Sequence, residues 1–346
     1  MAEQEKDELL TLNEFITKTQ YLVNPKRALT NSLLGIELEQ KALLPTAMEK
    51  PGIMFMTRPM LDLSVSNLMR DRKMANLITD FDRPSIAAFI RGTLDPITMY
   101  KSHKKLTDNL LVDPQMPFIP IMTNALKTLS GWEDLVAPTK VVGGGVMKEE
   151  YVYIDGIIDH YRKITLDLTF ENVHTDPIMG LIDTWTRYAT LKYAGVMKKH
   201  MPLVLQDRVS YHTRIYRFAL SNDMRYVTSY GCTGYTFPVV VPSGKKLDYK
   251  SDEMYNDTNR DLTIRFEGVG FYYNDPVVFR MFNMAVSSTH SGMRAVNNGD
   301  TGHEMVIVPR SLISRMSGMC YPRVNPLTKE LEWWTDKEKL DKVNED

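Results

Sequence analysis

The chain has 346 residues, 43% hydrophobic and 25% charged, with 42 basic against 43 acidic side chains and a formal net charge of −1. This is the composition of an ordinary globular protein long enough for two or three domains. It lacks the basic excess of a dedicated nucleic-acid binder, and near-neutrality is compatible with copies associating.

Cys232 and Cys320 are the only cysteines, too few for a disulfide framework. The opening MAEQEKDELL is acidic and has no apolar core, so it does not read as a signal peptide. No apolar run reaches the roughly 18 residues of a membrane span.

Residues 1–50 read as an N-terminal extension. Leu9, Leu10, Leu12, Phe15 and Ile16 place an apolar stripe on an amphipathic helix over 8–19, either an ordinary core helix or an arm that docks on a neighbouring subunit. Residues 51–140 read as an inserted or additional domain. A strand over 51–59 is closed by Pro59, and short helices are predicted at 64–70 and 84–91. The three prolines of 111–120 make that stretch extended or turning, and a helical turn at 124–129 ends at Gly131-Trp132. Gly143-Gly144-Gly145 lacks the Gly-Lys-Ser/Thr ending of a phosphate loop and reads as a turn or hinge.

Residues 141–275 carry the clearest pattern. A short strand over 151–154 meets the turn Asp155-Gly156. KITLDLTF then alternates: Ile164, Leu166, Leu168 and Phe170 share one face, and Thr165, Asp167 and Thr169 the other. A helix is predicted over 176–193, with Asp176 as cap and Pro177 in the first position. Ile178, Leu181, Ile182, Trp185, Tyr188 and Ala189 form its stripe, and Gly195 suits its end. A hairpin pairs 213–220 with 225–230, and 237–241 continues as strand. A brief extension at 247–249 and a polar loop at 251–260 precede the strand 261–273, where Gly268 and Gly270 predict a bulge or a close backbone approach. Residues 276–346 form a C-terminal extension: strand or helix over 277–285, a Gly/Asn-rich loop over 287–302, a short strand at 305–309 and a fraying charged tail. Trp333-Trp334 anchors a partner or caps the domain's own core.

Chemistry-bearing motifs are absent. His103, His160, His174, His200, His212, His290 and His303 are scattered, with no helical His pair of zinc-hydrolase type. There is no exposed-serine turn, no dinucleotide-binding glycine pattern and no paired thiol. The sequence therefore predicts no catalytic, cofactor-binding or metal-ligating residue, no cofactor, and no enzyme. Arg214 and Arg217 beside Tyr211, Tyr216, Phe218 and Tyr226 have the residue types of a base-stacking surface. On a strand they divide between two faces, so a core face and a solvent face account for them.

The order KITLDLTF, DPIMGLIDTWTRY, RYVTSYGCTGYTFP, DLTIRFEGVGFYY resembles the tail tube protein of contractile-tailed bacteriophages. The resemblance covers about 125 residues and rests on the order and character of the elements. It implies an α+β, mainly β fold: an antiparallel β-sandwich or barrel with one flanking helix, elaborated at both termini. It further implies a virion protein, made in the host cytoplasm, whose copies form stacked hexameric rings. Tail sheath and other virion proteins would be its partners, and double-stranded DNA would pass through the lumen without sequence-specific contact. Another neck, baseplate or capsid-associated protein remains open as an alternative. So do an α+β hydrolase and a carbohydrate-binding sandwich using Trp333-Trp334.

Overall fold

The computed structural model describes residues 51–79, 85–102, 112–147, 149–206, 208–244, 261–300, 303–316 and 318–345. Pro51–Asp346 form one compact unit. The expected arm at 1–50 with its helix at 8–19, the extension at 247–249 and the polar loop at 251–260 lie outside the described residues.

Strands β1 (Gly52–Met56), β2 (Leu126–Ser130), β3 (Thr139–Gly143), β4 (Glu150–Ile154), β5 (Lys163–Glu171) and β6 (Ile215–Leu220) are followed by β7 (Val227–Pro238), β8 (Asp261–Tyr273), β9 (Met305–Ile307), β10 (Tyr321–Val324) and β11 (Leu331–Asp336). Five described helices have eight or more residues: α1 (Ile86–Leu94), α2 (Pro177–Tyr193), α3 (Val277–Thr289), α4 (Ser291–Asn298) and α5 (Lys337–Glu345). The main sheet has the order β1-β6-β7-β8-β5-β2 and is antiparallel throughout. A three-stranded sheet β10-β11-β9 and an isolated hairpin β3-β4 complete the strands. The architecture is mixed α/β, with the main sheet curled into an antiparallel half-barrel.

The alternation of KITLDLTF is realised: Ile164, Leu166, Leu168 and Phe170 are buried, and the intervening residues are not. With Leu262, Ile264 and Phe266 of β8 they meet the α2 stripe Ile178, Leu181, Ile182, Trp185 and Tyr188 in one cluster. Trp185 is fully buried, stands edge-on to Phe266 and donates its indole N–H to Tyr211 O at 2.8 Å. Gly180 lets α1 close on α2, since a Cβ there would lie 2.7 Å from Ile90 Cδ1.

The other half of the sheet is covered on its opposite face. Ile215 joins the α2 cluster, whereas Tyr216, Phe218 and Leu220 point the other way. There they meet Phe279, Phe282 and Val286 of α3, Met293 of α4 and Val324 of β10. Both outer strands of the main sheet, β1 and β2, come from residues 51–130.

Several sequence expectations are corrected. The helical turn expected over 124–129 lies earlier, at Pro120–Asn124, and Leu126–Ser130 form β2. Pairing with β5 outweighs the local helical bias, since Leu126 and Leu129 pack on the α2 cluster. The expected loop at 287–302 contains α4: the His290 ring caps it by accepting from Met293 N, Met293 and Val296 are buried, and Gly299 ends it at φ +80. The charged tail, expected to fray, includes α5. The 225–230 and 237–241 segments are parts of one strand region, since β7 runs unbroken from Val227 to Pro238. Asp176 precedes α2 as expected, but with a left-handed backbone and no side-chain cap bond; its Oδ1 accepts from Asn172 Nδ2. Gly195 (φ +75) follows the C-terminus of α2.

Gly268 and Gly270 behave as their positions predict. A Cβ at Gly268 would lie 2.1 Å from Tyr235 O, so β7 and β8 approach there as only glycine permits. Gly270 has φ +83, and across it the residues feeding the α2 cluster change from 262, 264 and 266 to 271 and 273.

Candidate functional site

The α2 cluster covers one face of β2, β5 and β8 and leaves the opposite face open. That face carries Ser130, Thr128, Thr165, Asp167, Thr169, Thr263, Arg265 and Glu267, none of them buried. Its charges are paired across strands. Arg265 Nε donates to Asp167 Oδ1 at 3.0 Å, Lys163 Nζ sits 2.8 Å from Glu267 Oε2, and Lys127 reaches Asp261. Thr169 and Thr263 hydroxyls lie 3.3 Å apart. The hydrogen bond and charge of Asp167 push the Arg265 pKa up, so this cation stays on. The face is polar and locally neutralised.

Among the described residues, β2 borders this face as an outer strand, bonded to β5 on one side only. The outer side of β1 differs: Met56 O accepts from Ile119 N, and Arg58 N donates to Pro117 O. Arg58 is itself buried and ties this region down by donating to the carbonyls of Thr93, Asp113, Met116 and Gly92. Burial lowers its pKa to about 10, opposed by the charges of Asp113 and Asp95.

The chain leaves β2 through Gly131, whose φ of +100 and close approach to Thr165 O exclude a side chain. It then forms the β3-β4 hairpin, registered from Thr139↔Ile154 to Gly143↔Glu150. All ten strand residues are exposed. Among the described residues, thirteen of the 34 exposed large apolar side chains fall between Leu135 and Tyr161, including Met147 (82% exposed) and Ile154 (74%). Such density on one protrusion is the mark of an interaction surface rather than of scattered surface residues. The base is fixed: Tyr273 Oη donates to Glu133 O at 2.7 Å, Gly270 N to Arg162 O at 3.1 Å and Phe271 N to His160 O at 3.0 Å.

One titratable cluster escaped sequence reading. Asp62, Asp95 and His200 place ligand-type atoms within 4.8 Å of one another, although more than 100 residues separate the histidine from the carboxylates. Their oxygens are engaged internally. Asp95 Oδ1 accepts from His200 Nε2 at 2.8 Å and Thr98 N at 2.9 Å, and Oδ2 accepts from Leu63 N at 2.7 Å. Burial alone would lower the His200 pKa; the hydrogen bond and charge of Asp95, with Asp62 beyond, raise it. The cluster acts as a clasp between 61–98 and 198–210. Only tertiary folding could reveal it, because no local spacing links the three residues.

The remaining candidates resolve into core or surface. Burial pushes the Cys232 thiol up to about 12, which removes its thiolate at neutral pH. Tyr216 and Phe218 are buried against α3, separated from half-buried Arg217, while Arg214 donates to Gly234 O. Trp333 packs on the α3 cluster at 6.3 Å from Phe55, and Trp334 donates to Glu332, so neither is a free anchor. His103 lies outside the described residues. No described helix is long and apolar enough to cross a membrane.

Among the described residues, then, the antiparallel main sheet presents a polar face, an outer strand β2 and an exposed apolar hairpin. Comparison with known families places it: residues 2–345 match the family described as "Putative phage tail tube protein", and the chain belongs to that family. It is a structural protein of the phage tail, which sets its place in the virion and its association with other virion proteins. The family role is structural rather than enzymatic. No curated protein matches the chain. Among solved structures, the cryo-EM structure of the anti-feeding prophage cap, a tube-terminating cap, is similar over 49% of this chain and 85% of that one. The identity is 11% and the TM-score 0.27, a likeness that carries no argument about assembly.

Proposed function

We propose that the protein is the tail tube subunit, and that its copies self-assemble into stacked, hexameric rings around a channel for double-stranded DNA. The observation that carries this reading is the outer strand β2, which among the described residues is unpaired along one side and borders the polar face of β5 and β8. An open edge presents unpaired backbone donors and acceptors, which in a monomer invite pairing with another chain. Pairing β2 with the neighbouring copy's sheet continues the half-barrel and closes a ring.

The polar face then lines the lumen. Its cations Lys163, Arg265 and Lys127 each have an acidic neighbour. Sliding DNA requires a wall that does not hold phosphates, and a cation already paired with a carboxylate is a weak phosphate ligand. The apolar cluster under α2 faces outward from the channel, on the side where tail sheath is met.

Negative-stain electron microscopy with mass photometry of the full-length protein tests the proposal. Hollow tubes of uniform width or stacked sixfold rings are expected. A monomer at every concentration overturns it.

A further inference from the structure

His290 stands at the junction of two helices and serves both. Its backbone N–H closes α3 by donating to Val286 O at 3.1 Å, and its ring caps α4, with Met293 N donating to Nδ1 at 3.2 Å. A backbone amide can only donate, so Nδ1 carries no proton and the proton of the neutral ring sits on Nε2. The residue is buried, 6% exposed, and its ring packs on Tyr321 with centroids 4.3 Å apart. Gly292 lets β9 close on the same place, since a Cβ there would lie 3.0 Å from His290 Cε1 and 2.8 Å from Met305 Cγ.

Ionisable groups face the ring from several elements. β10 gives Tyr321, whose hydroxyl donates to Asp113 Oδ2 at 2.7 Å; burial and the charge of Asp113 push its pKa up, so it keeps its proton. Burial likewise keeps the neighbouring Cys320 thiol neutral. β11 brings Asp336 and α5 brings Lys339. Within α4, Arg294 donates to Ser287 O at 3.2 Å. Arg280, the charged residue of α3, sits near the far end of that helix, and β9 has no ionisable side chain. Burial lowers the His290 pKa below the ordinary value and outweighs Asp336 and Asp113, which favour the charged ring; Lys339 acts in the same direction as burial.

We propose that His290 is an acid-releasable latch: the neutral ring holds α4 in the cluster built on α3, and the protonated ring releases it. Protonation at Nδ1 sets an N–H against the Met293 N–H, so the cap becomes a repulsion between two donors. α4 has eight residues, a length that is marginal in water without such support. It is therefore the element released, and Met293 and Val296 leave the cluster they share with Phe282 and Tyr321. Because the folded pKa is the lower one, the contribution of the cap is complete above about pH 6.5 and is lost as pH falls toward the folded value. One proton taken up per opening raises the opening equilibrium about tenfold per pH unit in that window. The latch stands whether or not copies of the chain form tubes.

Hydrogen exchange of the α4 amides in the full-length protein tests this, corrected for intrinsic exchange and followed from about pH 7.5 to about pH 5, the range that spans an ordinary histidine. Protection at Met293–Asn297 is expected to fall about tenfold per pH unit below about pH 6.5, while β5 stays protected. His290→Asn supplies a side-chain carbonyl that caps at every pH in that range, so its α4 protection should not vary. Flat protection in the wild type, or an equal fall in H290N, overturns the latch. Nitrogen NMR of the histidine-labelled wild-type protein gives a second readout that needs no folded variant. An unprotonated Nδ1 on His290 near neutral pH is expected, and a protonated Nδ1 there overturns the cap and the latch with it.

Discussion

The β5-β8 ribbon and the β3-β4 hairpin are both antiparallel pairs with unbroken register, and they differ in almost everything else. In β5-β8 every second side chain is buried under α2, and the outward side chains pair with one another. In β3-β4 the backbone pairing is equally regular, yet all ten strand residues are exposed. Backbone hydrogen bonds exchange water for protein at a small net gain, so the ribbon owes its stability to the covered apolar face. Among the described residues, nothing covers the hairpin in this way.

The largest effect should come from removing the cover over the ribbon. Trp185→Ala deletes a fully buried ring and the bond to Tyr211 O, and should cost about 3–5 kcal/mol in denaturant unfolding. A loss below 1 kcal/mol would break the claim that α2 is what distinguishes the ribbon. Gly268→Ala places a Cβ against the Tyr235 carbonyl, so β7 and β8 must part; about 1–3 kcal/mol is expected, read as a lowered melting temperature.

A smaller effect concerns the clasp at His200. Its folded pKa lies above the ordinary value, so the stability it supplies is complete below about pH 6.5 and is lost as pH rises through the raised value. His212 has the opposite sign: burial, with the charge of Lys192 nearby, lowers its pKa to about 4. Its contribution is present above the ordinary histidine value and is lost as pH falls toward 4. His200→Gln should cost about 1–3 kcal/mol near pH 6 and flatten the decline of stability on the alkaline side. An unchanged pH profile in that variant would remove His200 from the balance.

The smallest effect on the folded monomer should come from the hairpin. Val152→Ser with Ile154→Ser should change monomer stability by less than about 0.5 kcal/mol, measured at concentrations below assembly. The same variant should form fewer or no stacked particles by electron microscopy. A large stability loss in the monomer would show that the hairpin is held within its own chain, and would erase the contrast with β5-β8.

Much of this was legible in the chain. The period of KITLDLTF fixed which side chains of β5 face inward, because two residues per repeat leave no other choice once one face is apolar. Pro177, the stripe behind it and Gly195 bounded α2 to within a residue. Gly268 and Gly270 marked the close approach of β7 and β8. Where the local signal was weak, tertiary pairing decided: β2 is a strand because β5 offers it an edge, and α4 is a helix because Met293 and Val296 find a cluster to enter.

The surfaces were less legible than the core. Sequence order carried the family resemblance, and Gly143-Gly144-Gly145 was legible as a turn or hinge: Gly143 ends β3 and the chain turns after it. That Val141, Val152 and Ile154 lie in open solvent could not be read, since an apolar strand residue looks the same whether it is buried or awaiting a partner. The clasp brings His200 to Asp62 and Asp95, more than 100 positions away, and the cavity beside Cys320 is assembled from five separate segments. By itself the sequence determined the period of β5, the bounds of α2 and the glycine-dependent close approach of β7 and β8, because these follow from the backbone geometry of neighbouring residues. Only the tertiary structure decided which apolar faces are covered and which are left over, because burial depends on what the rest of the chain brings alongside.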